Sequence, residues 1–398
     1  MKAWITYSGS YVFENGPAWD GNIAMLSGNN LQNIQDVVIN LPRSVRDHLT
    51  NSPVFGPDGA LYLPQGSSSA MGKADLSWGN RPERLLTAAI LRLDVNNLPA
   101  NLPINAKTSS GGTYNPYNAN AKLTLYATGV RNAYDLVWHS NGELYAPSNG
   151  SAAGGNVPTS NKNDQDYVTP HPNAPSYSGP TIPDVNNITP TQKDWMYRIL
   201  PNRYYGHPNP KRAEYVLNRG NQDVSNASYN GIQADANFHW QGLAFDFQNN
   251  KSPNGAIEYK SNTFDGKLRG KILVVRYSEK DDVIVLEPGG NLNNIISFTE
   301  GVAIGLSGFS NPLDVVEDTR NGNLYVSEFG ASKITLLRPA SGAKQSLTSE
   351  EDHLAADNAD LKSGPSRVLK YYPVPFSEGT FNVELDHEIQ GSVDYVIY

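Results

Sequence analysis

Three stretches of the chain repeat one arrangement of apolar and polar positions. Residues 54–62, 136–145 and 315–325 each run apolar β-formers into a polar turn containing glycine, then resume on a Leu-Tyr pair. Asp58-Gly59, Asn141-Gly142 and Asn321-Gly322 supply the positive φ that a tight reversal needs, so each unit predicts a hairpin. Residues 243–247 before 252–259, and the pair 271–276 with 282–286, read as weaker relatives. Further apolar strands follow at 90–94 and 333–338, and residues 2–7 read as a strand already in progress. Antiparallel units of three or four strands, spaced by ~40–70 residues, predict the blades of an all-β propeller. A stack of β-sandwich domains is the competing architecture. It is disfavoured because the repeated hairpins continue into the C-terminal third with no linker between them.

Two regions interrupt the pattern. Residues 150–193 are rich in Asn, Ser, Pro and Gly and read as a long inserted loop, of the kind that is functional or mobile. Residues 341–366 read as loop with a short helix near 348–361, and 371–398 alternate like a strand pair completing the first or last blade. At 398 residues the chain could form two or three ordinary domains, but the unbroken repeats favour a single propeller domain over 1–398.

Composition agrees. Charged residues make up only 18%, against 35 Gly, 27 Pro and 22 Tyr, which suits short strands and many turns better than helical bundles. A formal charge of −8 gives no basic field, so nucleic acid is not an expected partner. No apolar run reaches the ~18 residues of a membrane span. The absence of cysteine removes disulfides, thiolate metal sites and cysteine nucleophiles together, without fixing the compartment. No signal peptide follows Met1, and the strand-like start implies that the natural beginning, with any export signal, precedes this sequence. A secreted or periplasmic location is the expectation.

His48 leads into the first repeat and does not recur with the turns, so it is a candidate for chemistry rather than architecture. Four segments carry a resemblance: Asp47-His48 through Gly66, Gly129-Val130-Arg131-Asn132 through Gly150, Tyr204-Tyr205-Gly206-His207-Pro208-Asn209, and Asp314 through Glu328. In these the chain resembles the glucose/sorbosone dehydrogenase family, soluble sugar dehydrogenases that use pyrroloquinoline quinone (PQQ). The likeness runs from about Gly21 to Pro339 and implies six blades. It also implies that His48 is the general base taking a sugar hydroxyl proton, work that an imidazole of ordinary pKa suits. The alternative for His48 is a hydrogen bond to a neighbouring blade.

The resemblance further implies cofactor contacts from Arg131 and Asn132, and from Arg276 where those enzymes use lysine. A tricarboxylate calls for permanently charged, bidentate arginines. Asn311 and Leu313 stand where the family carries two more cofactor-binding arginines, and each charged hydrogen bond so lost costs ~1.5–3 kcal/mol. Ser67 follows Gly66 where the family has an aspartate, so it can hold an imidazole tautomer but brings no charge. The family's cofactor calcium implies carbonyl ligands at Gly150 and Ser151. A second calcium site implies Asp194 and Tyr205, with Trp195 replacing a glutamate, and Asp164 and Asp166 are a further oxygen-ligand pair. Trp240, Tyr205 and His207 are expected at the channel mouth, where aromatic faces stack on sugars or on a planar quinone. The expected function is therefore a sugar or polyol dehydrogenase with PQQ and calcium. The competing expectation is a carbohydrate-binding propeller without catalysis, taking a sugar or glycan. A calcium-dependent hydrolase or lyase ranks below both, because no cluster of channel carboxylates marks the blade starts.

Overall fold

The computed structural model describes residues 2–8, 20–108, 112–160, 181, 183–189, 191–215, 241–291 and 294–339. Strands β1 (Lys2–Ser8), β2 (Asp20–Ser27) and β3 (Asn33–Pro42) form one antiparallel sheet. A second holds β4 (Val54–Phe55), β5 (Leu61–Gln65) and β6 (Ala89–Leu93), while β7 (Ile104–Asn105) returns to pair in parallel with β3, and β8 (Leu123–Thr128) completes the second sheet. The third sheet is built from β9 (Val137–Trp138) and β10 (Leu144–Ser148). A separate hairpin of β11 (Gly155–Val157) and β12 (Val185–Ile188) follows, before β13 (Lys193–Ile199) and β14 (Phe245–Asn249) complete that sheet. The fourth comprises β15 (Pro253–Glu258), β16 (Ile272–Arg276), β17 (Asp282–Gly289) and β18 (Asn294–Thr299). The fifth comprises β19 (Pro312–Asp318), β20 (Asn323–Glu328) and β21 (Lys333–Leu337).

Side-chain alternation shows how these five sheets are arranged. Leu61 and Leu63 pack toward Ile23, Val38 and Leu41 of the first sheet. Tyr62, between them, packs toward Leu144, Ala146 and Tyr197 of the third. Tyr145 points the other way, toward Ile272 and Val274 of the fourth. Leu273 and Val275 then meet Val315, Leu324 and Val326 of the fifth. Since successive residues of a strand face opposite sides, each inner sheet is a blade packed on both faces. That is why β5, β10 and β16 are buried at every position, whereas β18 at the rim of its blade is half-buried to exposed. The result is an all-β propeller of five blades among the described residues. Six blades were expected against these five, and the 341–366 insertion and the 371–398 strand pair lie outside the described residues.

The three repeated turns form hairpins, β4–β5, β9–β10 and β19–β20. In each, the Asp or Asn side chain accepts the backbone N–H two residues on: Asp58 from Ala60 (3.2 Å), Asn141 from Glu143 (3.0 Å) and Asn321 from Asn323 (2.9 Å). Gly59, Gly142 and Gly322 take φ of 74°, 87° and 73°, so the local chemistry sets the reversal. The pairing of 271–276 with 282–286 is the β16–β17 hairpin. The relation suggested for 243–247 and 252–259 is different: β14 closes one blade and β15 opens the next. Part of the loop expected over 150–193 is the β11–β12 hairpin, with Val157 and Ile188 packed against Met71, Trp78 and Tyr204. No helix among the described residues is long and apolar enough to cross a membrane.

Candidate active site

His48 lies where the chain between β3 and β4 runs beside the end of β5. The Gly66 N–H donates to the Leu49 carbonyl at 2.9 Å, and Thr50 hydrogen-bonds Gln65 at 2.7 Å. The two strands approach so closely that a Cβ on Gly66 would sit 2.6 Å from the His48 Cβ, so glycine is required there. His48 is 2% exposed, and its ring lies 4.6 Å from that of Trp78.

The hydrogen bonds fix the imidazole tautomer. Nδ1 faces Ser67 Oγ at 2.8 Å and the Ser67 carbonyl at 3.2 Å, and the Ser67 hydroxyl donates its own proton to the Ser69 carbonyl at 2.7 Å. Both groups facing Nδ1 therefore accept, so Nδ1 carries the proton and Nε2 keeps its lone pair. No hydrogen-bond partner for Nε2 occurs among the described residues. Burial, then the positive charge of Arg131 and the neighbouring His207, hold the imidazole pKa well below its ordinary 6.5, against the opposing Ser67 carbonyl. His48 is thus a neutral base at neutral pH.

Ser67 also ties this centre to the third blade, since its N–H donates to the Arg131 carbonyl at 2.8 Å. Among the described residues the Arg131 side chain bonds carbonyls alone: Nε to Ala70 at 2.8 Å, and Nη1 to Asn149 at 3.2 Å and Gly150 at 2.9 Å. Its Cζ lies 5.7 Å over the Trp78 ring, and Arg46 lies over the same ring at 5.4 Å. Burial lowers the Arg131 pKa to about 10, opposed by the fields of Asp47, Asp194 and Glu83, so it remains a cation. Among the described residues no carboxylate forms an ion pair with it. Asn132 is buried beside it, its amide oxygen accepting from Asn51 Nδ2 at 3.2 Å.

Two contributors, Trp78 and Glu83, had no signal in the sequence. Trp78 ends a single 3₁₀ turn, Leu76–Trp78, capped by Asp75. Glu83, 1% exposed, accepts from the backbone N–H groups of Ser68 and Ser69, each at 3.0 Å, from the Ser69 hydroxyl at 2.6 Å and from the Thr87 hydroxyl at 2.5 Å. His207, expected at the channel mouth, is buried and donates Nε2–H to the same carboxylate at 3.1 Å. Burial alone would raise the Glu83 carboxyl, but His207 and the hydroxyl donors outweigh it and hold its pKa below the ordinary value. Glu83 therefore clamps the 67–69 loop that orients His48.

The other expected positions stand apart from this group. Arg276 is buried at the end of β16 against Asp282, at 2.8 and 2.6 Å, and against Glu300, so its charge is already neutralised. Asn311 donates to the Tyr277 carbonyl at 3.3 Å and shapes a loop of the fifth blade. Asp194 is not placed as a metal ligand, because its oxygens accept the N–H groups of Gly150, Lys251 and Ser252 at 2.7 to 2.8 Å. The Tyr205 hydroxyl donates to the Arg198 carbonyl and accepts from the Leu200 N–H at 2.8 Å, deep in a core. The Gly150 carbonyl faces Arg131, and that of Ser151 accepts the Gln192 N–H at 2.8 Å. In both expected calcium sets the ligand atoms thus already accept hydrogen bonds within the protein. No cluster of three acidic or histidine side chains suited to a metal occurs among the described residues. Trp240, Asp164 and Asp166 lie outside the described residues.

No family model matches the chain, and no curated protein matches it. Solved structures do. A glucose dehydrogenase is similar at 14% identity with a TM-score of 0.51, over 82% of this chain and 74% of that one. The PQQ domain of a pyranose dehydrogenase from Coprinopsis cinerea is similar at 13% identity and a TM-score of 0.48, over 80% and 76%. A PQQ-bound aldose sugar dehydrogenase from Streptomyces coelicolor is similar at 15% and 0.44, over 86% and 73%. The likeness to the glucose dehydrogenase shows the fold, a β-propeller.

Proposed function

We propose that the protein is an oxidoreductase of sugars or other polyols in which His48 is the general base and Arg131 the anchor for an anionic quinone of the PQQ type. The observation that carries this reading is the pairing, among the described residues, of an imidazole whose Nε2 has no hydrogen-bond partner and a guanidinium with no carboxylate in contact. Arg131 and Asn132 offer donors that suit carboxylate and quinone oxygens. A bound quinone would supply the two-electron acceptor.

The chain's own residues account for the proton. His48 Nε2 removes the substrate hydroxyl proton as the adjacent C–H leaves as hydride, so an alcohol carbon becomes a carbonyl. The imidazolium formed keeps its Nδ1–H on Ser67, and the ionised Glu83 lies behind the same serine loop. Ser67 has no charge of its own, so the negative charge stands further back than an aspartate at 67 would place it. Arg131 stabilises negative charge on the reacting oxygen or on the acceptor. The depressed His48 pKa keeps the base form present throughout neutral pH, which puts the acid limb of activity below 6.5.

Reconstitution with PQQ and a redox dye, screened against aldoses and polyols, tests the reading. Turnover that falls by roughly 10²-fold or more in His48→Ala supports it. Absence of PQQ binding at micromolar concentration defeats it. A carbohydrate-binding propeller without catalysis is the second reading, favoured by the neutralised Arg276. Glycan binding that survives His48→Ala, with no dye reduction, would select it.

A further inference from the structure

We infer that Arg131 is itself the resident cation of this site, so that an anionic ligand binds here without a divalent metal. The inference rests on the reading of the site as an anion-binding redox centre. Three carbonyl oxygens converge on the guanidinium from two blades, Ala70 from the second and Asn149 and Gly150 from the third. Carbonyl oxygens arranged in this way are the donors a hard cation takes, and here a side chain of the protein occupies them. A metal ion bound to the Gly150 carbonyl would stand against a positive charge. The Ser151 carbonyl beside it is engaged by the Gln192 N–H at 2.8 Å.

Nearby acids do not make up a metal site either. Asp194 is taken by three backbone N–H groups and Glu83 by its serine, threonine and histidine donors, leaving Asp47 as the exposed carboxylate within electrostatic reach. The guanidinium is held in place by its carbonyls on one side and the Trp78 ring on the other. Nη2 has no partner among the described residues. With Nε and Nη1 held by carbonyls, Nη2 is left as a fixed, charged donor nitrogen for a carboxylate oxygen. The ligand class is therefore a carboxylate, held by charge-assisted hydrogen bonds rather than through a bridging ion.

Two titrations of the whole chain test this. Calcium chloride alone should leave the melting temperature of the wild type unchanged. PQQ, followed by quenching of tryptophan fluorescence, should bind with the same affinity in EDTA as in calcium. In Arg131→Ala the carbonyls are released: affinity in EDTA should fall roughly tenfold or more, and calcium alone should now raise the melting temperature. If that variant does not fold, Arg131→Gln removes the charge while keeping amide donors and should show the same loss in EDTA. Tighter PQQ binding in calcium than in EDTA, or a calcium-induced rise in the wild-type melting temperature, overturns the inference. If the wild type binds no PQQ under either condition, the proposed function fails. The calcium titrations of wild type and Arg131→Ala then still decide which cation the carbonyls hold.

Discussion

Arg131 and Arg276 are both guanidinium groups drawn out of water at the ends of blade segments, yet their surroundings differ in kind. Arg276 meets formal charges, Asp282 in a bidentate pair and Glu300 beside it. Among the described residues Arg131 is contacted by dipoles, the carbonyls of Ala70, Asn149 and Gly150, with carboxylates only at a distance. Burial lowers the pKa of each. The carboxylates overcome that effect and raise the Arg276 pKa above its ordinary value, whereas the Arg131 pKa stays depressed at about 10. Similar residues thus do opposite work: the neutralised arginine holds blade four together, and the one without a counter-charge keeps a field available to a ligand.

The comparison predicts unequal stability effects. Arg276→Leu leaves Asp282, 3% exposed, as a buried charge without its partner, and should cost about 3–5 kcal/mol in urea unfolding. Glu300 adds little, because its side chain is 34% exposed. Arg131→Leu forfeits hydrogen bonds to neutral carbonyls but strands no carboxylate and relieves the burial of a cation without a counter-charge, so its cost should be smaller than that of Arg276→Leu. Equal losses in the two variants would break the comparison.

A second contrast concerns pH, and it sharpens the picture of the region around Arg131. Because its folded pKa lies below 6.5, His48 is neutral in the folded chain while the unfolded chain takes up a proton as pH falls past that value. The stability contribution is therefore complete above about 6.5 and is lost on acidification toward the folded pKa. One such group gives a slope of about 1.4 kcal/mol per pH unit. His48→Gln should flatten the wild-type curve between pH 6 and 5 by that amount. An unchanged slope would mean that His48 is protonated in the native state.

How much of this could be read along the chain depends on distance. The hairpins were legible because a turn residue and the N–H two positions on decide them. The family likeness singled out His48 and Arg131-Asn132, which the fold brings to one region, while their roles remain the proposal above. Trp78 and Glu83 were not legible, since their roles arise from folding: the Glu83–His207 contact joins residues 124 apart. Arg276 is the instructive failure. Asp282 stands directly opposite it in the β16–β17 hairpin, and a cross-strand pair of opposite charges six residues apart is a local signal. The family likeness drew Arg276 toward a ligand when its neighbour in the hairpin already explained it.

The smallest expected effect bears on the loop that orients the base. Ser67→Ala removes the hydroxyl that accepts the His48 Nδ1 proton and donates to Ser69, leaving the Ser67 carbonyl at 3.2 Å as the remaining acceptor. Glu83 would still hold Ser68 and Ser69 through their N–H groups, so the loop should keep its course and the stability loss should be about 1 kcal/mol. The tautomer is the sharper readout. In the wild type, ¹⁵N shifts of the ring should show protonated Nδ1 and bare Nε2; in Ser67→Ala the Nε2–H form should gain population. If the two spectra coincide, the carbonyl alone locks the ring, and the serine in place of an acid costs the base nothing in orientation. If the variant shifts, the hydroxyl is the orienting group, and the weakness of this base relative to one backed by aspartate lies in charge rather than in geometry.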